Sequence, residues 1–332
     1  MAATLKDVAL KAGVSRSAVS RTFTPGASVS ARTRAAVERA ALELGYAPNA
    51  LASSLTTGRT KLIGLIANNF RNPLILEVFE LFTLGLQARG LKPLVVNLSG
   101  ATNPAESVRM LKQYSVDGVI VASSTLPVSF AAAFAEAGLP VVHTFGRAST
   151  APIVPVVGID NHACGRMAAD VLVKRGYRRV GFLGGPAEAT STQDRAAGFA
   201  AGLRDHPDRT FETSYASAYA FDAGRVAMQR LLAREPAEAY FCGDDLLALG
   251  ALSAIEDAGL RVPDDIGLIG LNDMEMARWE TNRLTTIRQP LAAIITASID
   301  LVVETIESPD RPPEVRLFPC TFIERGTLRA VP

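Results

Sequence analysis

Arg16, Ser17, Ser20 and Arg21 carry the first recognisable chemistry in the sequence, being basic and hydroxylic side chains that a helix with Val19 turned inward would point outward together. The arginine fork matches the two acceptors that guanine shows in the major groove of DNA, and serine hydroxyls suit phosphates or base edges. Residues 4–21 also supply the frame such a face needs. Val8 and Ala9 offer a small apolar surface for a close helix crossing, Gly13 permits a tight turn, Val14 plugs the core and Ser15 caps the next helix. These are the parts of a helix-turn-helix. Arginines on a surface helix are usually solvated charges, but here the charge distribution argues against that. The first sixty residues hold eight Lys and Arg against three Asp and Glu, a net +5, while the whole chain is only +1 and the rest therefore −4. A compact basic end is the electrostatic footprint of a nucleic-acid-binding head.

The elements that must position this face follow from periodicity. Over 5–45 the apolar residues recur at helical spacing, broken at Gly13 and around Pro25 and Gly26, which predicts three short helices. Ser30 is placed to cap the third, whose Ala35, Ala36, Val37, Ala40, Ala41 and Leu44 should face inward, and Gly45 should end it. Residues 46–60 are small and polar and read as a linker. Beyond Thr60 short apolar strands alternate with amphipathic helices, the rhythm of parallel crossovers. A first set of strands is expected at 62–67, 93–98, 118–122, 141–144 and 156–159, and a second at 180–183, 239–242 and 266–271. Helices should begin near Pro73, Pro104, Pro127, Asn161, Thr192, Asp222, Asp244 and Pro290, and a final strand should run over 316–324. Two open sheets facing each other form a cleft at the C-terminal ends of their strands, where such sheets bind ligands.

Composition narrows the function class. At 332 residues, with 48% hydrophobic and 20% charged side chains, the chain is of the ordinary globular type and long enough for two or three domains. Cys164, Cys242 and Cys320 are few, odd in number and far apart in sequence, which fits a reducing compartment and buried thiols better than a disulfide framework or a zinc cluster. The start of the sequence shows no export signal and no run is long enough for a membrane span, so a cytoplasmic protein is expected. An exported solute-binding protein would share the two lobes but has no use for the basic head. A nucleotide-dependent enzyme would need a Gly-x-Gly-x-x-Gly turn or a phosphate loop, and Gly184-Gly185-Pro186 lacks that spacing. His143, His162 and His206 show neither metal-ligand nor catalytic spacing, so no enzyme activity, metal or cofactor is expected.

The sequence resembles the lactose-repressor and galactose-repressor family, which also includes the purine and gluconate repressors. The likeness is carried by the head over 4–46, by Pro48-Asn49-Ala50-Leu51-Ala52-Ser53-Ser54-Leu55, and by Ile63-Gly64 and Asn72-Pro73. It continues through Gly158-Ile159-Asp160-Asn161, Gly184-Gly185-Pro186, Arg195 with Gly198-Phe199, Pro263-Asp264-Asp265 and Leu284-Thr285-Thr286-Ile287. It implies an all-α helix-turn-helix head over 1–47, a hinge helix and linker over 48–60, and a core over 61–332 resembling periplasmic sugar-binding proteins. That core would be two doubly wound parallel-sheet α/β lobes, the first from about 61–159 and 288–316, the second from about 160–287 and 317–332.

The resemblance further implies a transcriptional regulator, in most members a repressor, that binds a near-palindromic double-stranded operator as a homodimer and answers to a small-molecule effector. Arg16, Ser17 and Arg21 fall at base-reading positions; Thr4, Ser15, Ser20, Thr24 and Asn49 fall at backbone-contact positions; Ala18 stands where many members carry Thr. Leu55 corresponds to a leucine wedged into the minor groove. Arg195 matches an effector-binding arginine whose fork can hold vicinal hydroxyls or a carboxylate. Tyr219, at a position where aromatic stacking on the ligand is common, Asp244 and Asn272 belong to the same expected site, with Asn72, Leu74 and Ile75 from the first lobe; of these, Asn272 alone stands where many members have Asp. Each of these residues could instead be plain packing, Leu74 and Ile75 especially. Gly146 replaces an Asp common in sugar-sensing members. With no heptad-patterned tail after the final strand, a dimer is expected in preference to a tetramer.

Overall fold

The computed structural model describes residues 3–24, 26–47, 54, 58–98 and 103–331. The chain divides into two compact units, Met1–Thr60 and Lys61–Pro332. In the first, helices α1 (Leu5–Ala12), α2 (Arg16–Thr22) and α3 (Ala31–Leu44) enclose a small core of Val8, Ala9, Val19, Val37, Ala40 and Ala41. Each start is fixed by a side chain that satisfies amides the helix itself leaves open. Thr4 and Asp7 form a reciprocal capping box on α1, Ser15 accepts from the Ala18 amide on α2, and Ser30 accepts from the Thr33 amide on α3. Gly13 takes φ +66° after α1, a left-handed turn that a β-carbon would strain. The expected inward face of α3 holds except at Ala35, which is exposed: with Val37, Ala40, Ala41 and Leu44 inward, it lies on the opposite side of the helix.

The second unit contains two six-stranded sheets. The first holds β1 (Leu62–Asn68), β2 (Lys92–Leu98), β3 (Gly118–Ala122), β4 (Val141–Thr144) and β5 (Val156–Ile159), with β11 (Val315–Phe318) beside β5, in the order β11-β5-β4-β3-β1-β2. The second holds β6 (Arg179–Gly184), β7 (Thr210–Tyr215), β8 (Ala239–Cys242), β9 (Gly267–Leu271), β10 (Thr286–Arg288) and β12 (Thr321–Ile323), in the order β12-β10-β9-β8-β6-β7. All pairings are parallel except β10 with β12.

Helices α4 (Leu74–Ala88), α5 (Pro104–Gln113), α6 (Val128–Glu136) and α11 (Leu291–Glu307) accompany the first sheet. The second is accompanied by α7 (Asn161–Lys174), α8 (Thr190–Leu203), α9 (Phe221–Leu232) and α10 (Asp245–Asp257). The Phe182, Phe199 and Phe241 rings, 5.4 to 6.4 Å apart, form one aromatic centre of the second lobe.

Three expectations need correction. The single strand expected over 316–324 is two strands: β11 stays paired with β5 up to Phe318, and only after Pro319 and Cys320 does the chain join the second sheet as β12. Strands β7 and β10 were not anticipated, because β7 alternates half-exposed residues at a sheet edge and β10 is three residues long. Helix α8 begins at Thr190, so Arg195 lies in its second turn and does not open it. The chain passes between the sheets three times, after Ile159, after Arg288 and after Phe318.

Candidate functional site

In the head, Arg16, Ser17, Ser20 and Arg21 are all exposed on α2, and Val19 opposite them is fully buried. Among the described residues no ion pair involves Arg16 or Arg21, whereas Lys11 of α1 is paired with Glu43 of α3 at 2.7 Å, so both arginine forks face outward uncommitted. Thr4 is held by its capping box, with Oγ1 donating to Asp7 at 2.7 Å. The same contacts hold the Asp7 carboxyl below its usual range. Ser15 Oγ lies 3.0 Å from Ser17 Oγ, and Thr24 Oγ1 donates to the Ser20 carbonyl at 2.9 Å. The expected backbone-contact set is therefore at the surface. Asn49 and Leu55 lie outside the described residues.

In the core, one cleft between the lobes is lined by every effector residue expected from the sequence: Asn72, Leu74 and Ile75 from the first lobe, and Arg195, Tyr219, Asp244 and Asn272 from the second. The lobes stand close together, leaving about 70 Å³ of cavity. Arg195 is buried and donates from Nε to Asn161 Oδ1 at 2.8 Å and from Nη1 to the Gly243 carbonyl at 2.6 Å. Both acceptors are neutral, and among the described residues no hydrogen bond uses Nη2, which leaves that edge of the guanidinium for whatever enters the cleft.

The lobes meet directly where Asn72 Nδ2 donates to Asp244 Oδ2 at 3.0 Å. Asn72 Oδ1 accepts from the Leu74 amide, and Asp244 Oδ1 caps α10 through the Leu247 amide at 2.8 Å. Each partner is thus anchored on its own lobe. Burial pushes the Asp244 carboxyl up to about 6, opposed by the Leu247 amide, Arg195 and Asn72. At the rim, Arg147 of the first lobe bridges to Asp194 on α8, with its Nη2 2.8 Å from the carboxylate.

Tyr219 is held from several sides. Its hydroxyl bonds Thr192 Oγ1 at 2.6 Å, its carbonyl accepts from Asn69 at 3.4 Å, and its ring lies so close to Gly185 that a β-carbon there would sit 2.5 Å away. Asn272 Oδ1 accepts from Gln289 Nε2 at 2.7 Å, so a residue at a crossover holds it in place.

The missing carboxylate at Gly146 has a physical reason: a β-carbon there would come within 2.6 Å of the His143 ring. That ring is fully buried, is pushed down to about 4 by burial, and shares its Nε2 with the Ser123 carbonyl at 3.0 Å. Asn68, Asn69, Ser123, Ser124, Thr125, Phe145, Asn161 and Gln289 also line the cleft without having been singled out as contacts. All sit at or just past strand ends on the cleft side, and that position was the available signal.

A helix-turn-helix with free arginines, followed by two parallel-sheet lobes around a polar cleft, matches known proteins along its length. Residues 4–49 match the bacterial regulatory proteins of the lacI family, and residues 169–328 match a periplasmic binding protein-like domain. Over 335 aligned residues the chain is 33% identical to the HTH-type transcriptional repressor PurR of Escherichia coli O139:H28, covering 98% of this chain and 97% of that one. The chain belongs to the lacI family. It is accordingly a DNA-binding transcriptional regulator.

Among solved structures, a lac repressor dimer bound to operator and the anti-inducer ONPF aligns at 26% identity and TM-score 0.89, covering 99% of this chain and 100% of that one. The transcriptional regulator CelR in complex with cellobiose aligns at 28% identity and TM-score 0.73, with 98% and 99% covered. Among the described residues, no helix is long and apolar enough to cross a membrane.

Proposed function

We propose that this lacI-family regulator is a cytoplasmic, homodimeric repressor whose hold on a near-palindromic operator is set by a small polar molecule closing the cleft. The observation that carries the reading is the convergence of Asn72, Leu74, Ile75, Arg195, Tyr219, Asp244 and Asn272 on one cavity. Asn72 and Asp244 face each other across the two lobes within it. A ligand placed there touches both lobes, and its binding energy acts directly on their angle. The role is binding and not catalysis, and it calls for no metal or cofactor.

Arg16, Ser17 and Arg21 read base edges, Thr4, Ser15, Ser20, Thr24 and Asn49 hold the backbone, and Leu55 wedges the minor groove. A twofold dimer suits a near-palindrome. It is supported by the apolar residues that α4 leaves exposed, Leu76 and Leu84, and by the exposed Val95 on the edge strand β2. The domain limits are 1–47, 48–60 and 61–332; the division after Thr60 supports the last of them.

The test starts from an operator recovered by selecting genomic DNA fragments on the purified protein. Arg16→Ala should weaken binding to it by about 1–3 kcal/mol and relax preference at one base position, whereas Leu55→Ala should weaken it through loss of the kink. Unchanged gel-shift titrations for both variants refute the assignment. For the cleft, a calorimetric metabolite screen should yield a ligand that Arg195→Ala no longer binds; equal binding by that variant removes Arg195 from the site.

A further inference from the structure

The chemistry a ligand must bring to the cleft follows from the hydrogen-bonding groups its walls leave unused. Many are already committed. Asn68 is taken up by Ser123 and Thr125, both ends of the Asn72 amide and both oxygens of Asp244 are engaged, and the Tyr219 hydroxyl bonds Thr192. Arg195, Asn161, Asn272 and Gln289 are different: all four are buried, and each keeps a polar atom without a partner. A guanidinium only donates, so Asn161 must turn its oxygen to Arg195 Nε, which leaves Asn161 Nδ2 unused together with Arg195 Nη2. Gln289 Nε2, given to Asn272 Oδ1, leaves Asn272 Nδ2 and Gln289 Oε1. None of these atoms is sealed inside the protein, because among the described residues His143 Nδ1 alone is both sealed and unpartnered. They therefore open on the cavity that their residues line.

The balance of these groups favours an anion. Among the residues lining the cavity Arg195 is the one base and Asp244 the one acid, and the acid has no oxygen left for a ligand hydroxyl. The rim pair of Arg147 and Asp194 is neutral as a unit. Helix α8 starts at Thr190 without a side-chain cap, and its Ser191 amide reaches the carbonyl of Ser124, a residue of the cavity wall, so the positive end of this helix adds to the field of Arg195. A neutral polyol carries an O–H with every oxygen, and each buried O–H needs an acceptor. The walls offer few: Gln289 Oε1, the Ser124 hydroxyl, and the Oδ1 of Asn69, whose Nδ2 is given to the Tyr219 carbonyl. Against them stand three N–H groups, one of them charged. A carboxylate, which only accepts and pairs most strongly with a charged fork, meets that surplus of donors.

We propose that the cleft takes a hydroxycarboxylate of three or four carbons, its carboxylate on Arg195 Nη2 and Asn161 Nδ2 and its hydroxyls on the Asn272 and Gln289 side. This deepens the effector reading given above and rests on it. The size follows from the cavity of about 70 Å³. At about 10–15 Å³ for each water-sized group it has room for about five of them, enough for a short acid and too few for an oligosaccharide.

The experiment is calorimetric titration of the full-length protein at neutral pH with both enantiomers of lactate and glycerate and with threonate, each set against its uncharged counterpart: lactamide, glycerol or threitol. At least one acid should bind, and its counterpart should bind tenfold or more weakly. Arg195→Gln removes the charge. Asn161→Asp still accepts from Arg195 Nε, keeps the fold by circular dichroism, and replaces the free N–H group by an oxygen that neutralises the guanidinium; both variants should lose tenfold or more in affinity for the acid. No binding by any of the acids, equal binding by acid and counterpart, or parental affinity in either variant overturns the proposal. A neutral ligand that binds alone and is lost in Arg195→Gln overturns the carboxylate and leaves the cleft standing as the effector site. Fluorescence anisotropy on the operator, with and without the bound acid, reads the other half: an acid held by Arg195 and Asn161 that leaves operator affinity unaltered counts against the effector reading alone, whereas a shift of about fivefold or more supports both.

Discussion

Replacing Asp244 by an asparagine should change how stability depends on pH, by an amount that follows from the cleft geometry. The carboxyl titrates at about 6 in the fold against an ordinary value of 3.8, chiefly because burial disfavours its charge. The native state therefore holds this proton more tightly than the unfolded chain does. The stabilisation this provides is complete below the unfolded value and is lost as pH rises through about 6. At about 1.4 kcal/mol per unit the full span is about 3 kcal/mol, and the part lost between about pH 5 and pH 7.5 is about 1.4 kcal/mol.

The amide introduced by Asp244→Asn cannot titrate. Its oxygen can still cap α10 through the Leu247 amide, but its nitrogen would then face Asn72 Nδ2, and Asn72 cannot turn over without giving up the Leu74 amide. That mismatch shifts stability by an amount nearly independent of pH and so adds nothing to the difference in slope. Asp245, raised to about 7 by burial with contributions from Asp244 and Asp273, titrates in both proteins and largely cancels. Urea unfolding of the core across this pH range should thus show the variant gaining about 1.4 kcal/mol on the parent as pH rises. Parallel profiles would refute the claim that Asp244 is buried as a proton-linked acid in the closed cleft.

Other variants probe the frame that carries the two sites. Gly198→Ala puts a β-carbon 2.1 Å from the His162 carbonyl oxygen, a backbone atom that cannot swing away. The helix-propensity gain of about 1 kcal/mol is outweighed by overpacking of about 1–3 kcal/mol or more, and the urea midpoint of the core should fall. Gly146→Ala should cost about 1–3 kcal/mol because the His143 ring it meets at 2.6 Å is itself enclosed, read by the same unfolding assay. Val19→Ala removes two methyl groups from the centre of the head and should cost about 2 kcal/mol, lowering the first thermal transition while leaving the core transition in place.

What could be read from the sequence was whatever has a local cause. Caps at Ser15 and Ser30, the turn at Gly13 and the buried strands β3, β4, β5 and β8 follow from side-chain hydrogen bonding, glycine geometry and unbroken apolar runs. Residues whose state depends on distant partners were harder. β10 is a strand only because β9 and β12 flank it, and the split of 316–324 depends on β5 drawing Phe318 to itself. The same holds in the cleft. Arg195, Asp244 and Asn272 came from the family resemblance, whereas the Asn161, Gly243 and Gln289 atoms that orient Arg195 and Asn272 come from other segments.

Backbone strain shows why these strand ends matter. Asn69, Phe145 and Asn272 each follow the last residue of a strand, β1, β4 and β9 respectively, each has a left-handed φ of 59°, 65° and 119°, and each lines the cleft. Asp273, next to Asn272, has φ 58° and is held by Arg278, Arg288 and Arg325. Asn and Asp tolerate this region, but for Phe it is a real cost, and no glycine marks any of the four positions. Such conformations persist only where the surroundings enforce them, here through the Phe145 amide on the Val157 carbonyl at 2.7 Å and Gln289 on Asn272. The turn that strains each residue also ends its strand at the cleft. The polar lining is therefore set by how three strands stop, and two of those strands belong to one lobe and the third to the other. A change in lobe angle moves these enforced corners as units, so a ligand that bridges them senses the angle directly.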